Sequence, residues 1–275
     1  MLIDTHCHLN ILVRNHHTKS SHIPFNDDEK KIISHHLNEA QKNNVTTIIN
    51  VGTDLIESQA SVEIAQLFKN CYATVGLHPT DIDQNNWQSV LQEFQEMLKH
   101  EHHKIVAIGE CGIDLFHKPE TLPLQEKAFH AHIELALKNN LPLVVHSRNA
   151  AQETLAVLDQ YKHEANFRGT MHCFSYDLGI ANDTINMNFV LGIDGPITYP
   201  KNVNLREVVE KTALEHLILE TDAPFLPPQR IRGQINTPST IADIAQFIAD
   251  LKLVDAEEVA HITTATAFKL FNLPK

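Results

Sequence analysis

Residues 3–8, with the sequence IDTHCH, place an aspartate and two histidines at alternating positions near the start of the chain. Successive side chains of a β-strand point to opposite faces, so Asp4, His6 and His8 would share one face. Two imidazoles that point into the same polar space are typical of a divalent metal site, because neutral imidazole is a common metal ligand. The segment therefore predicts a strand that presents two metal ligands.

Short apolar segments recur along the 275 residues and alternate with longer helical stretches. The pattern predicts eight strands, at 2–8, 45–52, 72–78, 104–110, 141–147, 169–174, 188–193 and 216–222. Helical stretches lie between and after them, among them 29–43, 56–70, 125–139, 202–213, 238–252 and 256–271. Strands that alternate with helices form parallel βαβ units. Eight such units indicate one α/β domain, a (β/α)8 TIM barrel of the metal-dependent hydrolase type spanning 1–275. An open doubly wound sheet is the alternative, but no GxGxxG turn follows the first strand.

Ionisable side chains collect at the carboxyl ends of the predicted strands. In a barrel these strand ends and the loops after them form the active site. The set comprises His6, His8, His78, Glu110, His146 with Arg148, His172, and the run Glu220-Thr221-Asp222. A lone residue of this kind is usually a hydrogen-bonded loop residue or a helix cap. So many on one face of the barrel predict a metal-dependent active site.

The number of candidate ligands exceeds what one ion requires. A mononuclear catalytic zinc site takes about three protein ligands and a water molecule. The set here offers at least four imidazoles and two carboxylates, which suit two ions about 3.5–4 Å apart. Glu110 is the predicted bridge, because it approaches from the strand between the two histidine groups. Imidazole favours a transition metal such as zinc or manganese, and magnesium is the oxygen-preferring alternative. The predicted cofactor is therefore a pair of divalent ions: magnesium, manganese or zinc.

Two further carboxylates, Asp4 and Glu220, precede predicted ligands by two residues on the same face of their strands. An unpaired carboxylate inside a barrel is costly. We therefore expect both to accept hydrogen bonds from imidazole N–H groups and so to orient the metal ligands. A plain buried ion pair is the alternative.

The composition suits a globular enzyme rather than a broad nucleic-acid-binding surface. Apolar residues make up 43% of the chain, and neither a signal peptide nor an 18-residue apolar run is evident. The formal charge of −12 opposes binding of nucleic acid through a wide basic face. Attraction for a phosphate substrate must then be local, from bound cations or a few arginines. We expect no membrane association and find no sign of an obligate protein partner.

The cysteines indicate a reducing compartment. Four are present without CxxC spacing: Cys7, Cys71, Cys111 and Cys173. Three of them directly adjoin predicted ligands, so on a strand their thiols would point away from the site. We expect small core side chains in a cytoplasmic protein.

A series of short motifs extends along almost the whole chain: IDTHCHLN at the start, VGLHP (75–79), AIGECGIDL (107–115), LPLVVHSR (141–148), MHCF (171–174), TYPKN (198–202), LILETDAPFLPP (217–228) and RGQINTP (232–238). Together they resemble the TatD family of metal-dependent deoxyribonucleases, within the amidohydrolase superfamily of barrels. An isolated HxH occurs by chance, whereas this ordered set is specific for the family.

The resemblance implies two ligand sets: His6, His8, Glu110 and Asp222 for one ion, and Glu110, His146 and His172 for the other. Three positions depart from the family pattern. Asn149 stands where an aspartate is usual, Gln234 where a lysine is, and Asp194 where a serine or glycine is. All three lie where substrate would be held, so they affect the expected substrate more than the chemistry.

The chemistry implied is hydrolysis of DNA phosphodiester bonds, of the 3′–5′ exonuclease type. Two ions lower the pKa of bound water toward about 7 and clamp phosphoryl oxygens, so we expect a bridging hydroxide to attack phosphorus in line. Asp222 is the predicted general base beside Glu110, because a proton acceptor must contact the nucleophile. Arg148 is expected to bind phosphate oxygens. Further candidates for neighbouring phosphates or for leaving-group protonation are His78, Arg232 and Lys201, with plain surface positions as the alternative for the last two.

Two other functions stay open from the sequence. The same site would hydrolyse an amide, another ester or an aminoacyl ester on RNA, because fold and ligands are shared among these reactions. Release of mononucleotides from a 3′ end, rather than of a free amino acid or simple carboxylate, would separate them. The other alternative is a metal-binding scaffold without catalysis, against which the complete ligand set argues.

Overall fold

The computed structural model describes residues 1–14, 21–101 and 104–274, and its centre is a sheet of eight parallel strands. The strands are β1 Leu2–Cys7, β2 Val45–Asn50, β3 Cys71–Val75, β4 Ile105–Asp114, β5 Leu143–Arg148, β6 Gly169–Met171, β7 Phe189–Ile193 and β8 Leu217–Leu219. They follow one another in sequence order, and each neighbouring pair is parallel.

The sheet closes where β1 meets the chain beyond β8. Cys7 and Ala223 form a parallel bridge, and the N–H of His8 donates to the carbonyl of Ala223 at 2.7 Å. In the same seam, the N–H of Asp222 donates to the carbonyl of His6 at 2.9 Å. The predicted (β/α)8 barrel is confirmed.

Helices follow the strands along the chain. Their bounds are α1 Leu9–Arg14, α2 Asp27–Lys42, α3 Leu55–Leu67, α4 Trp87–Glu101, α5 Leu122–Asn139, α6 Ala151–Asp159, α7 Leu178–Asn186, α8 Val203–Lys211, α9 Ile241–Lys252 and α10 Ala256–Leu270. The start of α2 shows how local sequence sets such bounds. Asn26 accepts hydrogen bonds from the first turn, and the Glu29 carboxylate accepts one from the Asn26 N–H at 2.8 Å, a capping box. Across the described ranges, no helix combines the length and the apolar character needed to cross a bilayer.

The amino-terminal end of the barrel is covered by α10. The Thr264 hydroxyl contacts the carbonyl of Met1 at 3.2 Å, just before β1, and the Thr266 hydroxyl contacts that of Glu215 at 3.3 Å, just before β8. An apolar cluster joins Leu270 and Phe271 to residues of the strands, among them Ile3, Ile49, Val144 and Ile218. The carboxyl-terminal end is therefore the accessible one.

Several strands end at different residues from those predicted. β4 continues to Asp114, four residues past the predicted end, whereas β3, β6 and β8 each stop three residues early. The early ends of β6 and β8 have a backbone cause. Cys173 has φ 47° and Asp222 has φ 56°, and this left-handed conformation is incompatible with an extended strand. His172 and Asp222 consequently lie on loops rather than on strands.

Candidate metal centre

A cavity of about 720 Å³ opens at the carboxyl-terminal end of the barrel. Its lining includes five of the six predicted ligands: His8, Glu110, His146, His172 and Asp222. The sixth, His6, is fully buried and contacts Glu110. Three predicted substrate-binding residues, His78, Arg148 and Lys201, line the same cavity. The tertiary structure thus brings together residues that lie far apart in the chain.

The first group of ligand atoms comes from β1 and the loop after β8. His6 Nε2 and His8 Nε2 lie 3.2 Å apart. Asp222 Oδ1 lies 3.3 Å from His8 Nε2 and 3.7 Å from His6 Nε2. The other ring nitrogen of His8, Nδ1, lies 3.0 Å from the carbonyl oxygen of Val51. Such a backbone contact fixes the ring and leaves Nε2 available for a metal.

Glu110 takes part in two further groups. Its Oε2 lies 3.4 Å from His6 Nε2, and its Oε1 lies 4.0 Å from His172 Nε2. In the remaining group, Glu110 Oε1 lies 2.9 Å from His146 Nδ1 and 3.6 Å from His78 Nε2. Within each group the ligand atoms are all within 4.8 Å of one another. Glu110 therefore lies between ligand groups, the position that the sequence predicts for a bridging carboxylate.

The grouping differs from the implied ligand sets: Glu110 is not part of the group formed by His6, His8 and Asp222, and His146 and His172 are separated. The resemblance assigns His146 and His172 to the same ion, but the structure places them in separate groups. The ring of His172 stacks on His6, with centroids 3.5 Å apart. His146 Nδ1 instead lies 3.2 Å from His78 Nε2. His78, predicted as a substrate contact, therefore occupies a potential ligand position.

The spacing and chemistry of these donor atoms fit divalent cations. In the first group the three atoms lie 3.2–3.7 Å apart. Two ligands with bonds of about 2.1 Å to one ion are expected to be about 3.0–3.4 Å apart. Imidazole nitrogens and carboxylate oxygens together are ligands of zinc, manganese and related ions. The residues present therefore suit a metal centre in which Glu110 and His6 are shared between ligand groups.

The electrostatics of the site are dominated by buried carboxylates. Burial alone would raise the pKa of Glu110, but the hydrogen bond with His146 and the charge of His172 hold it well below its usual range. Burial likewise opposes ionisation of Asp222, yet the contact with His8 lowers its pKa. Both side chains are therefore anionic at neutral pH, and a concentration of negative charge of this kind attracts cations.

Glu220 has the orienting position that the sequence predicts. Its Oε1 lies 2.9 Å from His172 Nδ1, whereas Glu110 faces Nε2 on the other edge of the ring. Burial alone would lower the pKa of His172, but Glu220, Glu110 and Asp222 around it raise that pKa to about 10. The contact with Glu220 fixes the ring and leaves Nε2 directed toward the other ligands.

Asp4 differs from the prediction. Its carboxylate contacts no imidazole nitrogen within hydrogen-bonding distance in the described part of the chain. It accepts hydrogen bonds from the Thr221 hydroxyl at 2.6 Å, the Thr221 N–H at 3.0 Å and the His6 N–H at 3.2 Å. The physical reason is that backbone N–H groups in the buried seam between β1 and β8 need acceptors. Asp4 thus positions the backbone next to two ligands rather than an imidazole ring.

Asp114 belongs to the site although sequence analysis did not single it out. Its carboxylate is fully buried, and its Oδ2 lies 3.0 Å from His146 Nε2 and 2.9 Å from His117 Nδ1. Burial opposes ionisation, but the two histidines depress the pKa of Asp114 below its usual range. The signal was available in the sequence: positions 110, 112 and 114 share one face if the strand continues past Glu110.

The cationic substrate candidates lie around the rim of the cavity. Arg148 lines it and stacks on Phe116, with the guanidinium carbon 4.3 Å from the ring centroid. Lys201 lines both the cavity and an adjoining groove of about 300 Å³. Arg232 lines only the groove, where it lies 4.6 Å from the ring centroid of Tyr199. These residues provide local positive charge outside the metal centre.

One cysteine behaves differently from expectation. Cys7, Cys71 and Cys111 are buried core side chains, as predicted. Cys173 instead lines the cavity, because β6 has ended before it and strand alternation no longer applies.

Asp194 is a carboxylate buried beside the centre. It lines the cavity, its side chain is fully buried, and neither oxygen has an N–H or hydroxyl donor among the described residues. Burial, reinforced by the charge of Glu220, raises the pKa of Asp194 to about 8, although the neighbouring Cys173 thiol and the charge of His172 lower it in part. Asp194 is therefore largely protonated at neutral pH.

Comparison with known proteins identifies the family. A family model described as "TatD related DNase" matches residues 3–272. The uncharacterized metal-dependent hydrolase YabD of Bacillus subtilis is 34% identical over 274 residues, which cover 99% of this chain and 100% of that protein. The uncharacterized metal-dependent hydrolase YcfH of Escherichia coli is 31% identical over 272 residues, 99% of this chain and 96% of that protein.

The solved structures agree with the sequence comparison. The crystal structure of YjjV, a TatD homolog from Escherichia coli, aligns with a TM-score of 0.86 at 28% identity, over 99% of this chain and 98% of that one. A hydrolase TatD family protein from Entamoeba histolytica has the same fold, with a TM-score of 0.80 at 22% identity over 98% and 97% of the two chains. Because the family match extends over nearly the whole sequence, this chain belongs to the TatD family of metal-dependent hydrolases.

Proposed function

We propose that this hydrolase is a deoxyribonuclease that uses a pair of divalent ions to remove nucleotides from the 3′ end of DNA. The observation that carries the proposal is the sharing of Glu110 and His6 between groups of ligand atoms at the bottom of a cavity whose rim bears Arg148 and Lys201. A phosphodiester anion resists attack by water, so its hydrolysis needs concentrated positive charge around phosphorus. The family model, described as a DNase, supports the same substrate class.

The bound ions and the residues of the protein have separate roles in the proposed reaction. Divalent ions, when bound by the ligand groups, supply charge neutralisation and acidify water. Asp222 is suited to accept the proton of the attacking water, since its side chain borders the cavity and its depressed pKa keeps it ionised at neutral pH. Glu110 contacts His6 with one carboxylate oxygen and His146 with the other, and so links two ligand groups. Glu220 keeps the His172 ring oriented. A general base in this position contributes about 10²–10⁴-fold to the rate.

Binding of the substrate backbone is assigned to the cations of the rim. We assign Arg148 to oxygens of the scissile phosphate, because it lines the cavity and follows His146 by two residues on the same strand. Lys201 and Arg232 border the adjoining groove and suit a neighbouring phosphate. These local charges oppose the net charge of −12.

We place this activity in the cytoplasm, acting on DNA without an obligate protein partner. The support is the state of the cysteines. All four are free, and three are fully buried, as small core side chains are in a reducing compartment.

The test is a product analysis of single-stranded DNA digestion in magnesium, manganese and zinc, with EDTA as the control. We expect stepwise release of mononucleotides from the 3′ end in at least one metal and none in EDTA. A chain that leaves DNA intact in all three metals, but releases amino acid or a simple carboxylate from an ester or amide, would be a hydrolase of the alternative class.

A further inference from the structure

The exposed phenylalanine side chains of this protein are concentrated beside the metal centre. All twelve phenylalanines lie within the described residues, and only Phe116 and Phe225 are exposed, by 55% and 47%. Both lie in loops that follow strands at the end of the barrel that carries the ligands. An apolar side chain exposed at the edge of a polar cavity contributes little burial to the fold and is available for contact with a ligand.

Phe116 has a defined position relative to the centre. Asp114 accepts hydrogen bonds from the N–H groups of Phe116 and His117, at 2.9 and 2.7 Å. The same carboxylate contacts His146 Nε2 at 3.0 Å. The Arg148 guanidinium lies over the Phe116 ring at 4.3 Å and also lines the cavity. The ring and guanidinium therefore form a stack next to a candidate metal ligand.

Phe225 is fixed in a similar manner on another loop. Its N–H donates to the carbonyl of Asp222 at 2.7 Å, and its carbonyl accepts from the Asn236 amide at 2.8 Å. The ring lines the cavity and lies edge-on to His8, with centroids 6.1 Å apart. This aromatic surface is thus held three residues beyond the proposed general base.

The two phenylalanines lie on loops at opposite positions around the barrel. Phe116 follows β4 and Phe225 follows β8, and these strands are four apart in a closed sheet of eight. Glu110 belongs to the first of these strands and Asp222 to the loop after the second. A substrate phosphate held at the centre would therefore have one aromatic surface on each side.

We propose that Phe116, together with Arg148, and Phe225 are the surfaces on which the two bases flanking the scissile phosphate stack. Aromatic rings and guanidinium groups stack on any base, because every base has a π-face. Such stacking needs bases that are free of their complementary strand. The proposal rests on the proposed nuclease function and adds the residues that hold the bases on the two sides of the scissile phosphate.

The experiment compares three oligonucleotides of the same sequence. One is unmodified, and the other two carry an abasic tetrahydrofuran residue on the 5′ or the 3′ side of the terminal scissile phosphate. kcat/KM is measured for the wild type, Phe116→Ala and Phe225→Ala. A stacking interaction is lost either when the base is removed from the DNA or when the phenylalanine ring is removed from the protein. Either loss should lower kcat/KM by about tenfold. We expect the kcat/KM of each alanine variant to fall about tenfold on the unmodified strand. On the strand that lacks the base which stacks on the substituted phenylalanine, kcat/KM should equal that of the wild type.

Matched variants separate stacking from other effects. Phe116→Trp and Phe225→Trp should recover most of the kcat/KM that the alanine variants lose, because indole also stacks on bases. Leu253→Ala truncates a side chain that is 91% exposed at the end of α9, and it should change no rate.

The outcomes distinguish this inference from the function on which it rests. Equal losses on all three oligonucleotides, or no loss on any, would overturn the stacking assignment while the nuclease function stands. Failure of the wild type to release nucleotides from every strand would reject the function as well.

Discussion

At the scale of single residues, the centre depends on side chains that serve more than one partner. Glu110 contacts His6 with one oxygen and His146 with the other, and His6 contacts both Glu110 and Asp222. A substitution at such a position disturbs two ligand groups at once. Asp222 is the more informative target, because its side chain combines a ligand position with the proposed role of proton acceptor.

We expect Asp222→Asn to lower kcat on single-stranded DNA by at least about 10²-fold, because an amide neither accepts the proton nor carries the charge. The measurement is steady-state turnover, with metal content determined on the same sample. The fold should persist, as judged by circular dichroism, since asparagine tolerates the left-handed backbone conformation that this position requires. Turnover at the wild-type rate would remove Asp222 from the reaction.

Asp194 provides a pH-dependent prediction. Its pKa is about 8 in the folded protein, against about 3.8 for an ordinary aspartate. The unfolded chain therefore gains stability from ionisation as the pH rises from about 4 to 8, while the folded chain does not. In EDTA, Asp194→Asn should raise the melting temperature at pH 8 and have little effect at pH 4. Asp250→Asn, at an exposed position, is the control. If the change in melting temperature caused by Asp194→Asn does not increase with pH, the raised pKa of Asp194 is wrong.

At the scale of elements, the important junction is the seam where the barrel closes. The β1 strand and the chain after β8 supply His6, His8 and Asp222, so their register determines whether a ligand group forms. Asp4 and Thr221 bridge the seam through a fully buried hydrogen bond of 2.6 Å. The seam therefore links the stability of the barrel to the assembly of the site.

We expect Thr221→Val to lower the free energy of unfolding by about 1–3 kcal/mol, because it leaves a buried carboxylate without its hydroxyl donor. Urea unfolding of the metal-free protein measures this loss. Thr221→Ser keeps the hydroxyl and should retain most of the stability. If valine and serine behave alike, the hydrogen bond does not stabilise the seam.

At the scale of the whole molecule, charge distribution matters more than net charge. The formal net charge of the chain is −12. Three cationic residues nevertheless lie around the cavity and the adjoining groove: Arg148, Lys201 and Arg232. Few phosphate contacts of this kind imply a shallow salt dependence, with a slope of about −2 in log K against log salt for three contacts on a single strand.

Gln234→Lys should add a contact in the loop that carries Arg232. We expect a modestly lower KM for long oligonucleotides and a salt slope steeper by about 0.7. Gln246→Lys, on the exposed face of α9, makes the same change in charge away from the cavity and should alter neither quantity. An unchanged KM for Gln234→Lys would place position 234 outside the path of the DNA backbone.

The linear sequence was sufficient for the barrel and for the types of candidate ligand. Alternation of apolar strands with helices is a local pattern, and ionisable residues at successive strand ends must meet at one end of a parallel barrel. Asp114 was missed because the end of β4 depends on pairing with β5, where Asp114 lies opposite Arg148. Local sequence carries little information about such pairing.

Which atoms face one another depends on the folded chain. Asp4 proved to bind backbone N–H groups, Cys173 turned into the cavity, and His78 came next to His146. The fold class and most of the candidate donor residues follow from the sequence, because both depend on residue type and order. The grouping of those donors depends on contacts between β1 and the chain after β8, which lie up to 217 residues apart, and is therefore a property of the closed barrel alone.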